Sequence, residues 1–282
     1  MLSSDDYRFL SELLRRRSGL SLGAGKEYLL ESRLPAVAAT FGHASLAALV
    51  RALRASPSPA LVKSVCDSMT TGETQFFRDG APFAAIAKAL LPAAASRAAR
   101  ERRAVRIWCA ACSTGQEPYS IAMTVELNRQ ALGGTPVEII ASDYSSASLQ
   151  RARDGVYNQF EVQRGLPIQH LVKFFRPVPP GFQVTPELRA SITFRERNLL
   201  ESFHDLGAFD IVMLRNVLIY FDLPTKREVL ERMALQLTEG GALFLGGSET
   251  TLGVTEQVTR VISDGAPYYV RVPRGGPVSR CA

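Results

Sequence analysis

The feature that most constrains how this chain can fold is a change of hydrophobic period near residue 105. Up to about residue 70, apolar residues recur at helical spacing; beyond 105 they come in short runs separated by helical stretches. The first region predicts a small helical bundle. From Ser4, read as an N-cap, Phe9, Leu10, Leu13 and Leu14 recur every three or four residues. Gly19 then follows the basic run Arg15, Arg16, Arg17, whose charge suits a helix C-terminus. Further helices are expected over 27–39, 45–55 and, from Ser58 with Pro59 in its first turn, to Met69. The second region predicts strands at 105–110, 137–142, 192–195, 210–214, 242–246 and 268–272, with helices over 117–130, 145–153 and 224–236. Such alternation points to a largely parallel sheet covered on both faces.

Two stretches fall outside this alternation. Residues 88–106 are rich in Ala and in Arg97, Arg100, Arg102, Arg103 and Arg106, which predicts a solvated linking helix. Residues 157–195, with PVPPGFQVTPELRASITF, favour turns and short strands over a crossover helix and are read as an insertion. The length of 282 residues and 46% hydrophobic content give ample core material without disulfides or metals. They exclude a disordered or fibrous chain. The longest apolar run, 209–221, is broken by Asp210, Arg215 and Asn216, so no membrane span is expected. Asp5 and Asp6 stand where a secretory signal would be basic and then apolar, which points to the cytoplasm. Of the four cysteines (Cys66, Cys109, Cys112, Cys281), the lone CxxC at 109–112 has no second pair, and His43, His170 and His204 are scattered, so no metal site is expected. The net charge of +6 is compatible with nucleic acid, anionic lipid or acidic protein and does not choose among them.

In doubly wound sheets ligands bind beyond the carboxyl ends of the strands, so the strand exits carry the chemistry. The first exit, RIWCAACSTGQEPYS, is a turn of small residues with Glu117 where the next helix begins. It lacks the GxGxxG of a dinucleotide site and suits a ligand with a positive group. The second, EIIASDYS, puts Asp143 directly after an apolar strand, where a carboxylate can accept from two ribose hydroxyls or cap the next helix. In the third, FDIVMLRNVLIYFD, the polar Arg215, Asn216 and Tyr220 interrupt a buried strand and demand partners. A fourth segment, SMTTGETQFFRD, gathers Thr70, Thr71, Thr74, Phe76, Phe77 and Arg78 and fits no simple amphipathic helix.

The ordered set MTTGETQFFRD, RIWCAACSTGQEPYSIAM, ASDYS, ELRASITFRERNLL, FDIVMLRNVLIYFD and LTEGGALFLGGSE resembles the CheR-type chemotaxis receptor protein-glutamate O-methyltransferases over nearly the whole chain. The resemblance implies an all-α N-terminal domain, placed at 1–78, and the linking helix read from composition then occupies 79–104. The resemblance also implies a Rossmann-like, S-adenosylmethionine (SAM)-binding methyltransferase domain at 105–275, with a small β-subdomain inserted at 157–196. Carried over by motif, Thr74 and Arg78 would touch SAM from the N-terminal side. Glu117 and Asp143 would hold its amino-acid and ribose portions, in an order left open. Asn198 and Leu199 would line the adenine side, and Leu214, Arg215 and Asn216 would close the pocket. Gly72 stands where the family commonly has Asn, so a side-chain bond to SAM is absent there or replaced by backbone. The implied reaction is methyl esterification of glutamates on the cytoplasmic helical region of chemoreceptors, with S-adenosylhomocysteine (SAH) as product.

That reaction fits the residue types. A glutamate, with a reference pKa of about 4.3, is ionised at neutral pH and needs no general base, in keeping with three histidines in the chain. In-line placement remains to be supplied, and Arg78 and Tyr220 are the residues expected to position groups at the reacting centre. Arg78 would pair with the SAM carboxylate or with the incoming glutamate. The basic first helix and the arginine-rich linker would complement an acidic receptor. Some family members also grip a receptor C-terminal peptide through the inserted subdomain; the short connection RPVPPGFQV argues against that mode here. Two rivals stand beside this reading. A nucleic-acid methyltransferase would commonly carry a [D/N]PP[Y/F]-type motif where this chain has LRNVLIYF. A non-enzymatic SAM-binding adaptor shares the fold, but intact Asp143, Glu117 and Arg78 speak for a working site.

Overall fold

The computed structural model describes residues 2–263 and 265–272; Cys281 and the expected domain end at 273–275 lie outside them. The N-terminal region forms four helices, α1 (Ser4–Ser18), α2 (Glu27–Thr40), α3 (Leu46–Ala55) and α4 (Pro59–Met69). Side chains of Ser3, Ser45 and Ser58 cap α1, α3 and α4 by accepting from backbone N–H groups one turn on. The cap of α1 is thus Ser3, one residue before the expected Ser4. Gly19 closes α1 in the left-handed region at φ 79°. The apolar stripes meet in a separate core around Leu10, Leu14, Leu30, Leu34, Leu49 and Val65.

The Ala- and Arg-rich stretch departs from expectation. It forms α5 (Ala81–Ala85), a π-helical turn (Ile86–Leu90) and α6 (Leu91–Arg100). Leu91, Ala94, Ala95 and Ala98 are buried in the core of the α/β unit. This is no solvated link. Alanines at helical spacing make a weak apolar signal in sequence, yet their small side chains let the helix seat closely against the sheet. The arginines are also largely committed. Arg103 chelates Asp210 through both terminal nitrogens (2.7 and 2.9 Å), Arg97 lies 3.7 Å from the same carboxylate, and Arg106 pairs with Glu138 at 2.7 Å.

The remainder runs β1 (Val105–Ala110), α7 (Gln116–Leu127), β2 (Val137–Asp143), α8 (Ser146–Asp154), β3 (Val156–Tyr157), α9 (Gln159–Gln163), α10 (Ile168–Phe174), β4 (Phe175–Val178), β5 (Gly181–Val184), α11 (Pro186–Ala190), β6 (Ile192–Glu196), β7 (Phe209–Leu214), α12 (Leu223–Leu235), β8 (Leu237–Phe244), β9 (Val258–Ser263) and β10 (Ala266–Arg271). Seven strands make one sheet in the order β6-β2-β1-β7-β8-β10-β9, in which β10 alone runs antiparallel to its neighbours. The α/β class with a mostly parallel central sheet is therefore as expected.

Strand β8 starts at Leu237, five residues before the expected 242, because a bulge absorbs the TEGG segment: Phe209 pairs with Leu237, but Ile211 pairs with Ala242. The strand β9 was not anticipated. The insertion is a three-stranded antiparallel sheet, β3-β5-β4, whose β4–β5 hairpin turns on Pro179 and Pro180, and it also carries the unanticipated short helices α9 and α10. Trp108, fully buried in β1, donates its indole N–H to Ser142 on β2 at 2.9 Å, so its one polar group is satisfied inside the core.

Candidate functional site

Strand order reverses between β1 and β7, and the crevice outside their carboxyl ends is where such sheets bind ligands. A cleft of about 1090 Å³, its open mouth included, lies there. The helical N-terminal unit forms one wall and the α/β unit the other. Several polar ties hold the walls together: Asn198 donates to the Arg17 carbonyl (2.8 Å), Ser21 N–H to the Tyr220 carbonyl (2.8 Å), and Lys63 to the Tyr144 carbonyl (2.6 Å).

The loops around this cleft are strained. Six non-glycine residues have positive φ among the described residues, and five sit in these loops: Phe77, Asp79, Ala111, Ser113 and Asn216. Each costs about 1 kcal/mol or more, and such strain concentrates where geometry serves function. In the β1–α7 turn Gly115 has φ +99°, and a Cβ there would stand 2.8 Å from the Tyr157 hydroxyl. Only glycine fits. Tyr157 in turn donates to the Thr114 carbonyl at 2.7 Å, so the inserted subdomain braces this turn.

Three carboxylates line the cleft, of which Glu73 is taken up by Arg164 (2.7 Å), leaving Asp143 and Glu117. Asp143, at the end of β2, accepts the Ser113 N–H on Oδ2 (2.8 Å) and the Ser145 N–H on Oδ1 (2.9 Å). The cap of α8 is Ser145, so Asp143 is not simply the capping residue. Each of its oxygens keeps a lone pair for a further donor. Burial pushes its pKa up, and the two backbone N–H groups oppose that rise. Glu117, in the first turn of α7, accepts from Arg215 Nη1 on Oε2 (2.9 Å). Burial raises its pKa as well, against the pull of the Arg215 guanidinium. Arg215 is itself buried and also donates to Asp79 and to the Arg78 carbonyl. One guanidinium thus ties the β7 exit, the α7 N-terminus and the RD pair of the fourth segment together.

Of the residues singled out in the sequence, Gly72, Thr74, Arg78, Glu117, Asp143, Asn198, Leu199, Arg215, Asn216 and Tyr220 all line the cleft. Leu214 does not: its side chain is fully buried among the apolar residues of β7 and α12, and the chain reaches the cleft one residue later. The Asn198 amide is spent on structure, donating to Arg17 and accepting from the Leu200 N–H. At Gly72 the backbone takes part, its carbonyl accepting from the Ser113 hydroxyl at 2.9 Å. The Arg78 guanidinium donates to the Glu73 carbonyl and forms no ion pair among the described residues. Cys109 and Cys112 are buried free thiols whose pKa burial pushes well up, which suits packing rather than redox chemistry.

Sequence reasoning missed three residues. Glu249 accepts from the N–H groups of Gly246 (2.6 Å), Asn216 (2.8 Å) and Ile219 (3.3 Å), fixing the strained turn after β7. Asp79 shares Arg215, and Tyr144 lines the cleft beside Asp143. The acid in GGSE was the available signal for Glu249; the others had none.

The donor set fits SAM. Two carboxylates suit an ammonium and a ribose diol, a cation with no carboxylate partner suits a carboxylate, and Leu199 with Phe221 supplies apolar wall. Comparison with known proteins agrees. A family model described as CheR methyltransferase, all-alpha domain, matches residues 5–70, and one described as CheR methyltransferase, SAM binding domain, matches residues 72–265. The chain is 40% identical over 263 residues to a chemotaxis protein methyltransferase of Vibrio parahaemolyticus, covering 92% of this chain and 94% of that one. It is 39% identical over 271 residues to chemotaxis protein methyltransferase Cher2 of Pseudomonas putida, covering 94% and 98%. A chemotaxis protein methyltransferase of Listeria monocytogenes is 32% identical, covering 88% and 90%. With a cleft at the switch point of its sheet and both domains matched, this chain belongs to the CheR family of SAM-dependent chemotaxis protein methyltransferases.

Proposed function

We propose that the chain methylates glutamate side chains on the cytoplasmic helical region of chemoreceptors, forming glutamate 5-O-methyl esters. The observation that carries this reading is Arg78, a cation without a carboxylate partner beside two carboxylates that are already held. Such a cleft is prepared for an anionic group. When bound, SAM supplies a methyl group already activated by its sulfonium. Asp143 and Glu117 would hold its ribose and amino-acid portions, and Arg215 orients Glu117 and opposes the rise in its pKa that burial causes. Asn198 and Leu199 would border the adenine, with Gly72, Thr74 and Asn216 completing the wall. Arg78 would bind a carboxylate, that of SAM or that of the acceptor, and Tyr220 would help to place the acceptor at the reacting centre. No histidine lines the cleft among the described residues, and an ionised acceptor requires none.

Docking would draw on the basic end of α1. There Arg15 and Arg16 are partly neutralised by Glu12, at 2.8 and 2.5 Å, while Arg97, Arg103 and Arg106 of the linker are taken up by Asp210 and Glu138. That pairing weakens the case for a nucleic-acid substrate. No helix among the described residues is long and apolar enough to cross a membrane, so membrane-bound receptors would be met at their cytoplasmic domains. The test is incubation with labelled SAM and receptor-containing membranes, followed by assay of alkali-released methanol. Base-labile label on the receptor is expected, and its loss in Arg78→Ala. Label stable to alkali, or confined to nucleic acid, would overturn the proposal.

A further inference from the structure

We infer that Lys63, on α4 of the helical unit, is a positioning residue for the Asp143 carboxylate and acts through the peptide group between Tyr144 and Ser145. Lys63 Nζ donates to the Tyr144 carbonyl at 2.6 Å. The N–H of that same peptide group, on Ser145, donates to Asp143 Oδ1 at 2.9 Å. An ammonium on the carbonyl side polarises the amide and makes its N–H the stronger donor, since hydrogen bonds in series reinforce one another. The bond to Asp143 is therefore charged in effect, although no charged side chain touches the carboxylate.

The rest of the geometry holds this relay in place. Lys63 also donates to Asp67 (2.9 Å) and is ion-paired with Glu196 (3.2 Å), so the ammonium is held on three sides. It also lies over the Tyr144 ring, 4.3 Å from the centroid. That ring packs against the core of the helical unit, to which the buried Cys66 belongs. Tyr144 thus has its side chain anchored in one unit and its backbone in the cleft wall of the other. Burial works against an ionised Asp143, and the only hydrogen bonds its carboxylate receives among the described residues are the Ser113 and Ser145 N–H groups. One of those two is under the control of the helical unit. By this argument that unit is part of the cofactor site and not solely a surface for docking.

The inference rests on reading the cleft as the SAM site and deepens it. The test is calorimetric titration of the full chain with SAH, paired with steady-state kinetics. Lys63→Met is expected to weaken SAH binding about tenfold, the usual loss for a hydrogen bond to a charged group. In kinetics KM for SAM rises while kcat and the receptor KM hold. Lys63→Arg, which keeps a charged donor, should recover most of the affinity. Glu196→Gln, which removes an ion pair between the units and leaves the peptide contact, should stay within about twofold of the wild type. Should Lys63→Met not fold, Lys63→Gln carries the same expected direction. Wild-type affinity in the folded Lys63 variants would overturn the relay, as would an equal loss in Glu196→Gln. If the wild type itself takes up no SAH, the reading of the cleft fails, and the relay with it.

Discussion

The two ends of the central sheet treat a buried carboxylate in opposite ways. At the amino end Asp210, in β7, accepts two nitrogens of Arg103 (2.7 and 2.9 Å), the Arg106 N–H (3.0 Å) and the Thr238 hydroxyl (3.2 Å). Every lone-pair direction is used. At the carboxyl end Asp143 carries one N–H per oxygen, and Glu117 receives a hydrogen bond on Oε2 alone among the described residues. The first arrangement closes the structure. The second leaves acceptor capacity in a buried place, which is costly unless a ligand arrives to fill it. The difference marks the carboxyl end of the sheet as the one with acceptors to spare for a ligand.

Exchanging the charges separates the two roles. Asp210→Ala leaves Arg103 with only the exposed Glu101 and takes the acceptor from the Arg106 N–H, and should cost about 3 kcal/mol in denaturant unfolding, with SAH affinity of the folded protein nearly unchanged. Asp143→Asn should do the reverse, lowering SAH affinity about 100-fold, or about 2.7 kcal/mol, with a small change in stability. If the two variants traded phenotypes, the contrast between the ends would be broken.

A smaller effect is expected from Gly115→Ala. Its φ of +99° and the 2.8 Å approach to Tyr157 predict a loss of about 2 kcal/mol together with weakened SAH binding, because the turn carries both Ser113 and Glu117. Gly134→Ala, at φ +86° with nothing within 4 Å of the added Cβ, should cost about 1 kcal/mol and leave binding alone. Equal binding losses would mean that backbone strain anywhere disturbs the cleft.

Acid provides the subtlest test. Burial raises the pKa of Asp143 and, against Arg215, that of Glu117, so SAH affinity should begin to fall above the ordinary carboxylate range near about 4. Burial alone would raise Asp210 too, but Arg103 and the Arg106 N–H hold it below its ordinary value. A lowered folded pKa contributes stability above the unfolded value of about 3.9 that is lost only as pH falls through the folded one. On acidification the protein should therefore release SAH before it loses the Asp210 contribution. Titration calorimetry and thermal unfolding across the same pH series check the order.

How much of this was legible varies by residue. The strand exits at 110–115, 143 and 214–216 could be read because a polar residue after an apolar run is visible locally, and Glu117 and Asp143 stand there. Leu214 was misplaced because a strand buried on both faces gives no alternation to tell a wall residue from a core one. The Arg215 clamp was hidden by distance along the chain, its carboxylate partners lying 98 and 136 residues away. Strain at Ala111 and Ser113 had no sequence signal, since neither residue type favours positive φ, whereas Asn216 is of a type that visits that region.

Taken alone, the amino-acid order determined the two-part layout, the parallel sheet and the identities of the groups at its carboxyl edge, because hydrophobic period and strand-end polarity are local properties. Tertiary structure decided which of those groups stay open. Whether a carboxylate is saturated, as Asp210 is, or left with spare acceptors, as Asp143 is, depends on donors brought from distant segments by packing, and only the folded chain puts Arg103, Arg215 and Lys63 where they settle the matter.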